Sequence, residues 1–230
     1  MGPATPLLRI TNLTKRYGGL LALSDVSFSI GSGELLGLIG PNGSGKTTLF
    51  ECLGGVLPSD GGQVLRDDGR PLAAHERRDL LFYLPDGVAP WPAQRVRWAL
   101  DFAIGFFGGD HSHRQDVIER LAIAPFLDMP IGALSKGQRK RALLAIGLLT
   151  PQPILLADEP FDGLDLRQTR EVAQALRDYA AQGRTMFLSI HQIADAARVC
   201  DRFVLLSGGR VVGEGTFDGR DLEEVFLALT

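Results

Sequence analysis

The strongest chemical signal in the sequence is the stretch Gly40-Pro41-Asn42-Gly43-Ser44-Gly45-Lys46-Thr47-Thr48. Glycines at this spacing let main-chain N–H groups converge on an anion, and a following helix N-terminus adds a favourable dipole. Gly40, Asn42, Gly43, Ser44, Gly45, Lys46, Thr47 and Thr48 together form a phosphate cradle. Lys46 is placed to reach the β- and γ-phosphates of a nucleoside triphosphate, and the Thr47 hydroxyl to hold Mg²⁺. A second signal is Ile154-Leu155-Leu156-Ala157-Asp158-Glu159, an apolar run that ends in adjacent acids. Asp158 would act on Mg²⁺ through a water, and Glu159 would polarise, or take a proton from, a water attacking the γ-phosphate. His191 ends another apolar run, where it could bridge that water, the γ-phosphate and Glu159. A lone histidine is ordinarily a core or surface group, so His191 gains meaning only beside the other motifs.

These residues need elements to hold them at one edge. The apolar run Leu35-Leu36-Gly37-Leu38-Ile39 reads as a buried strand before the cradle, and residues 49–53 read as the first turns of a helix after it. Residues 154–158 and 185–190 read as further buried strands, and 166–181 as an amphipathic helix between them. Residues 7–10 and 26–30 read as strands near the start, 63–66 and 80–84 as short ones later. Ser207-Gly208-Gly209-Arg210 turns a hairpin between 204–206 and 211–212, and 221–229 read as a final helix. Helical periodicity over about 92–125, with Trp98, Phe102 and Phe106 four apart, marks an inserted helical block broken at Gly108-Gly109. Strands alternating with helices around a phosphate loop argue for a mainly parallel α/β sheet with an antiparallel patch beside it.

Composition sets the limits. The chain has 230 residues, 45% of them hydrophobic, and a net charge of −3. That length can bury a sizeable core, and the balance shows no bias toward nucleic acid or acidic lipid. Cys52 and Cys200 read as small apolar core residues in a reducing compartment. The first residues lack a basic segment followed by a long apolar one, so no signal peptide is expected. Apolar runs at 98–107 and 142–149 fall short of the ~20 residues that span a bilayer, so any work at a membrane needs a second chain.

Ser135 is a plausible N-cap for a helix running to about 149. On that helix, Arg139-Lys140-Arg141 reads as a solvated basic face. His111 and His113 fall in a polar loop with no third ligand nearby. Asp162 and Asp165 flank Gly163-Leu164, and one of them would cap the helix that follows.

Taken together, the motifs resemble those of the ATP-binding subunit of an ABC transporter, over essentially the whole chain. The phosphate loop is Gly40 to Thr48. The signature is Leu134-Ser135-Lys136-Gly137-Gln138, where the family usually has Leu-Ser-Gly-Gly-Gln. The acidic strand ends at Asp158-Glu159-Pro160, the D-loop resembles Gly163-Leu164-Asp165, and His191 matches the switch histidine. Tyr17 matches the aromatic that stacks on adenine. The resemblance implies an α/β fold with a P-loop NTPase core, an antiparallel β subdomain and a helical subdomain at about 87–149. Residues 1–230 would form a single ABC ATPase domain. It also implies ATP and Mg²⁺ as ligands, and ATP hydrolysis with Glu159, His191 and Lys46 as catalytic residues. Two such domains, identical or homologous, would pair head to tail. Ser135, Gly137 and Gln138 would then face the partner's γ-phosphate, with Asp165 in contact across the pair. A separate transmembrane permease subunit would be the other partner, with the chain on the cytoplasmic face of the membrane and soluble when isolated. No nucleic-acid partner is expected. A soluble ABC ATPase acting on DNA or the ribosome is the competing class, and its members usually carry two such domains or a long coiled coil. A regulatory subunit with weak hydrolysis is a third.

Two departures from the family pattern stand out. Asp86 occupies the position of the family's glutamine after Tyr83-Leu84-Pro85. A carboxylate there can ligate Mg²⁺ but only accepts hydrogen bonds and adds negative charge; Asp86 is otherwise a turn residue before Gly87. Lys136 replaces the signature's first glycine, and its charge favours a nearby phosphate. Leu-Ser-Lys-Gly is a variant associated with exporter subunits, so export is the expected direction. The helical block would carry the docking surface, with Trp91 or Trp98 at the dock and core packing the default for both.

Overall fold

Leu35–Ile39 and Ile154–Asp158 are buried at every position, as strands covered on both faces must be. Both belong to a six-stranded sheet in a computed structural model that describes residues 6–191 and 193–217. The N-terminal residues and the helix expected at 221–229 lie outside the described residues.

The first strand, β1 (Pro6–Tyr17), pairs antiparallel with β2 (Leu20–Gly31) and with β4 (Gly61–Arg66). Between β2 and β4 come β3 (Leu35–Ile39) and α1 (Lys46–Leu53). A short α2 (Ala74–Arg77) leads to β5 (Leu81–Leu84), and α3 (Val96–Phe107) and α4 (Arg114–Arg120) follow. Then come α5 (Lys136–Leu149), β6 (Ile154–Asp158), α6 (Leu166–Ala181), β7 (Thr185–Ile190), α7 (Ile193–Val199) and the hairpin of β8 (Arg202–Ser207) and β9 (Arg210–Thr216). The larger sheet runs β5-β6-β7-β3-β8-β9 and is parallel except for β9, which pairs antiparallel with β8. The α/β class expected from the sequence is the observed one.

Alternate residues of the parallel strands serve two different cores. Leu35 and Ile39 of β3 and Leu155 of β6 pack with α3 to α7 on one side. Leu36, Leu38, Ile154 and Leu156 pack on the other side with α1 and the three-stranded sheet. The sheet is thus the middle layer of three, and its C-terminal edge is where loops from both layers meet.

Several local expectations are corrected. The first two strands are longer than the apolar runs 7–10 and 26–30, because β1 continues through shifts in register to Tyr17. The helices α2 and α7 were not legible as periodic runs, being only 4 and 7 residues long. Arg139-Lys140-Arg141 is not a solvated face. Lys140 is buried, and Arg141 lies over the Phe126 ring at 5.2 Å. Core packing fails for Trp91 and Trp98: α3 turns Val96, Ala99, Leu100, Ala103 and Ile104 inward and leaves Trp98 exposed, and Trp91, in the loop before α3, is exposed beside it. Cys52 and Cys200 are buried free thiols, as expected.

Candidate active site

The cradle begins where β3 ends in the middle of the sheet, the place where open parallel sheets bind ligands. Gly45 caps α1 with φ +105°, and a Cβ there would lie 2.7 Å from the Ala22 carbonyl oxygen. No other residue fits that turn without strain. Gly43, also left-handed at φ +80°, faces open space. Lys46 is buried, and its Nζ donates to the carbonyls of Gly40 at 2.7 Å and Pro41 at 3.1 Å. Burial lowers the Lys46 ammonium below the ordinary lysine range, against the opposing pull of Glu159 and Asp158.

Asp158 sits at the end of β6, in register with Ser189 of β7. Its Oδ2 accepts from the Thr47 hydroxyl at 2.8 Å. Its Oδ1 accepts from the Ser189 hydroxyl, whose oxygen in turn accepts the Glu159 N–H at 2.9 Å. Glu159 has φ +51°, an uncommon conformation for a residue with a side chain. The turn carries its carboxylate out of the sheet toward His191, whose Nδ1 stands 3.1 Å from Glu159 Oε1. Beside them lies an open cleft of about 420 Å³, lined by Glu159, Phe161, Leu164, Ser189, His191 and Asp195 among others.

The fold therefore brings together Lys46, Thr47, Asp158, Glu159 and His191. The cradle suits a triphosphate and its cation. Ser44 Oγ is buried with no hydrogen-bond partner. Lys46 rests on main-chain carbonyls, and Thr47 and Asp158 present a pair of hard oxygen ligands of the kind Mg²⁺ takes.

The remaining sequence candidates are spread from the cradle itself to the helices and loops around it. Tyr17 ends β1 with its ring 46% exposed, and Lys15 Nζ lies 5.7 Å from the ring centre. Asn42 is exposed and Thr48 half-buried. Ser135 caps α5 in a reciprocal box: Gln138 N–H donates to Ser135 Oγ at 3.3 Å, and Ser135 N–H donates to Gln138 Oε1 at 2.9 Å. Gly137 is buried where a Cβ would meet the Gly163 carbonyl at 2.7 Å, so the signature helix lies against the D-loop. Asp165 is the residue that caps α6, accepting from Gln168 N–H at 2.8 Å, while Asp162 pairs with Lys136. Asp86 meets the Lys140 ammonium at 2.6 Å. Burial would raise its carboxyl, but Lys140 outweighs that and holds it below the usual carboxylate range.

Two residues escaped the sequence. Ser189 stands alone in the otherwise apolar end of β7, two positions before His191; a buried hydroxyl between Leu188 and Ile190 was the signal. Lys140 was hidden in a run of three basic residues.

Residues 23–162 match the family profile described as ABC transporter. The Nod factor export ATP-binding protein I of Ralstonia nicotianae is 32% identical over 217 residues, 92% of this chain and 68% of the relative. The cobalt import ATP-binding protein CbiO of Rhodobacter capsulatus is 34% identical over 223 residues, 92% of this chain and 79% of the relative. A solved dimeric bacterial ABC transporter cassette superposes with a TM-score of 0.79 at 28% identity, covering 92% of this chain and 99% of the other. The chain belongs to the ABC transporter family and is an ATPase cassette of that family.

Proposed function

We propose that residues 1–230 form one ABC ATPase domain, with a helical insertion at about 87–149, that drives export through a separate transmembrane subunit. The observation that carries the catalytic part is the Glu159–His191 contact next to the Thr47–Asp158 pair. Lys46 and the main-chain N–H groups of the loop bind the β- and γ-phosphates. Thr47 and Asp158 would hold Mg²⁺, which would neutralise charge developing on the phosphates. Glu159 polarises a water whose oxygen attacks the γ-phosphorus while the bond to the β–γ bridging oxygen breaks. The water's proton passes to Glu159, and His191 holds that carboxylate in place. Tyr17 would stack on adenine.

Two domains, identical or homologous, would pair head to tail. Ser135, Gly137 and Gln138 of one would close over the ATP of the other, as a helix N-terminus suits an anion, with Asp165 at the contact. ATP then acts by favouring the closed pair, and hydrolysis by releasing it. Export is supported by the Nod factor export relative and by Lys136 in the signature; the cobalt import relative is the counterweight. The described residues contain no helix long and apolar enough to cross a membrane; the proposed arrangement gives the transmembrane part to another subunit, with the domain bound peripherally on the cytoplasmic face. Its dock is an apolar groove of about 540 Å³ between β5 and α5, lined by Phe82, Val88, Trp91, Phe107, Leu143 and Ile146 among others. A ladder of aromatic rings continues it from Trp91 along α3, with Trp98 and Phe106 exposed and Phe102 half-buried between them.

The test is Glu159→Gln. It should bind ATP, turn it over at least ~100-fold more slowly, and accumulate as a dimer in the presence of ATP. Turnover equal to the parent would remove Glu159 from its role. Co-purification of a multi-helix membrane protein in near-equal amount would support the transport part, and recovery with ribosomes or DNA would overturn it.

A further inference from the structure

Both departures from the family's motifs are charged, and the fold answers each with an opposite charge. Lys136 pairs with Asp162, and Asp86 pairs with Lys140. The two lysines are four apart at the start of α5, so they share a face. Lys140 is no ordinary surface lysine. Only 9% of its side chain is exposed, and its Nζ has two partners, Asp86 Oδ1 at 2.6 Å and the Asp158 main-chain carbonyl at 3.0 Å. The sheet register explains the meeting: Leu84 pairs with Ala157, so Asp86 comes out beside Glu159. Carboxylate oxygens of Asp86, Glu159 and Asp162 lie within 4.8 Å of one another. Left uncompensated, the Asp86 carboxylate would push the Glu159 carboxylate from its place beside His191.

We propose that Lys140 is a positioning residue for hydrolysis. Its ammonium ties Asp86 to the main chain at the end of β6, cancels the charge that Asp86 adds beside Glu159, and fixes the loop after β5 against the first turns of α5. A neutral glutamine at position 86 would need no such partner; an aspartate does. The pair therefore works as a unit. Asp86 without Lys140 is a stray anion next to Glu159. Lys140 without Asp86 is a buried ammonium left with a single carbonyl. Each single substitution should harm the site more than both together, because two amides can replace the ion pair with neutral hydrogen bonds. This rests on the assignment of Glu159 as the residue that polarises water.

The experiment is a double-mutant cycle on the full chain with Asp86→Gln, Lys140→Gln and the pair combined, plus Lys140→Arg. Two things are measured: kcat and KM for ATP, and amide hydrogen exchange at 84–90 and 156–162 without nucleotide. Each glutamine variant should lose about tenfold or more in kcat, as losses of supporting partners do, with KM within about threefold of the parent. Each should speed exchange in both segments. The double variant should recover most of the lost kcat, and Lys140→Arg should keep near-parent exchange. Parent-like kcat in Lys140→Gln, or single effects that simply multiply in the double, would overturn the proposal. If Lys140→Gln does not fold, Asp86→Asn at the more exposed partner decides: unchanged exchange at 158–160 refutes the link. Failure of the underlying assignment looks different, since Glu159→Gln would then turn over like the parent while the exchange effects of Asp86 and Lys140 remain.

Discussion

Replacing Ser189 with alanine removes one hydroxyl and two hydrogen bonds from a fully buried position. The hydroxyl donates to the Asp158 carboxylate and accepts the Glu159 N–H. A hydrogen bond to a charged group contributes roughly 1.5–3 kcal/mol, and leaving a buried N–H unpaired costs roughly 1–3 kcal/mol. Allowing for relaxation, Ser189→Ala should destabilise the protein by about 2–4 kcal/mol. In a chain of this size, that lowers Tm by roughly 5–15 °C. The catalytic effect follows from the backbone. Glu159 sits at φ +51°, a conformation that costs of order 1 kcal/mol or more and persists only when its surroundings hold it. The lost N–H bond is one of the restraints, so the carboxylate should wander from His191 and kcat should fall roughly 10–100-fold. Binding of ATP, which rests on the cradle, should change little. Calorimetry measures the first quantity, and steady-state turnover at saturating ATP and Mg²⁺ the second. A variant within about 0.5 kcal/mol of the parent, the scatter of neutral surface changes, and within twofold in kcat would refute the idea that Ser189 braces both acids.

Three further outcomes are expected. Gly45→Ala forces a methyl to 2.7 Å from the Ala22 carbonyl at φ +105°, so it should cost roughly 1–3 kcal/mol by urea unfolding and abolish ATP binding in a nucleotide-fluorescence titration. Trp98→Ser with Phe106→Ser alters two exposed rings; basal turnover should stay at the parent level while recovery of the membrane subunit in detergent pull-downs drops. Burial pushes the Cys52 thiol up to about 11 from its usual value near 9. The unfolded chain loses that proton first, so the native state holds more protons between those values and stability falls as pH rises from about 9 to about 11. The loss approaches 3 kcal/mol, at roughly 1.4 kcal/mol per unit. Cys52→Ala should flatten that part of the stability curve.

What the sequence revealed and what it hid follow from the range of the interactions involved. The phosphate loop is local: a strand, a turn that only glycine fits and a helix start follow one another within fifteen residues, so the pattern is complete on paper. The same holds for Ser135, whose cap and its partner Gln138 are three apart. Ser189 and Lys140 were invisible because their partners are 30 and 18 residues away and meet only through sheet register and helix packing. Lys140 misled because three consecutive basic residues suggest a solvated face, whereas on a helix they point in three directions, and here one direction is inward. The aromatic run at 98–106 misled in the opposite sense. Its spacing of four marks a stripe, but a stripe alone does not say which stripe is buried. The small residues Ala99 and Ala103 were the better guide to the packed side.

The layered sheet has a consequence for how the chain finds its own alignment. In a sheet with one wet face, alternation of apolar and polar residues fixes how neighbouring strands line up. Here both faces of β3, β6 and β7 are dry, and a slipped strand would still show apolar side chains to each core. Alignment must be set at the strand ends, where polar groups find only one partner. At one end, Thr185 Oγ1 accepts from Gly33 N–H at 2.8 Å and Asp201 Oδ2 accepts from Leu35 N–H at 2.9 Å. At the other end the marks are Thr47, Asp158 and Ser189. The groups assigned to nucleotide chemistry are thus also the notches that key the strands. Stripping them out should leave a protein that collapses readily yet settles into more than one alignment.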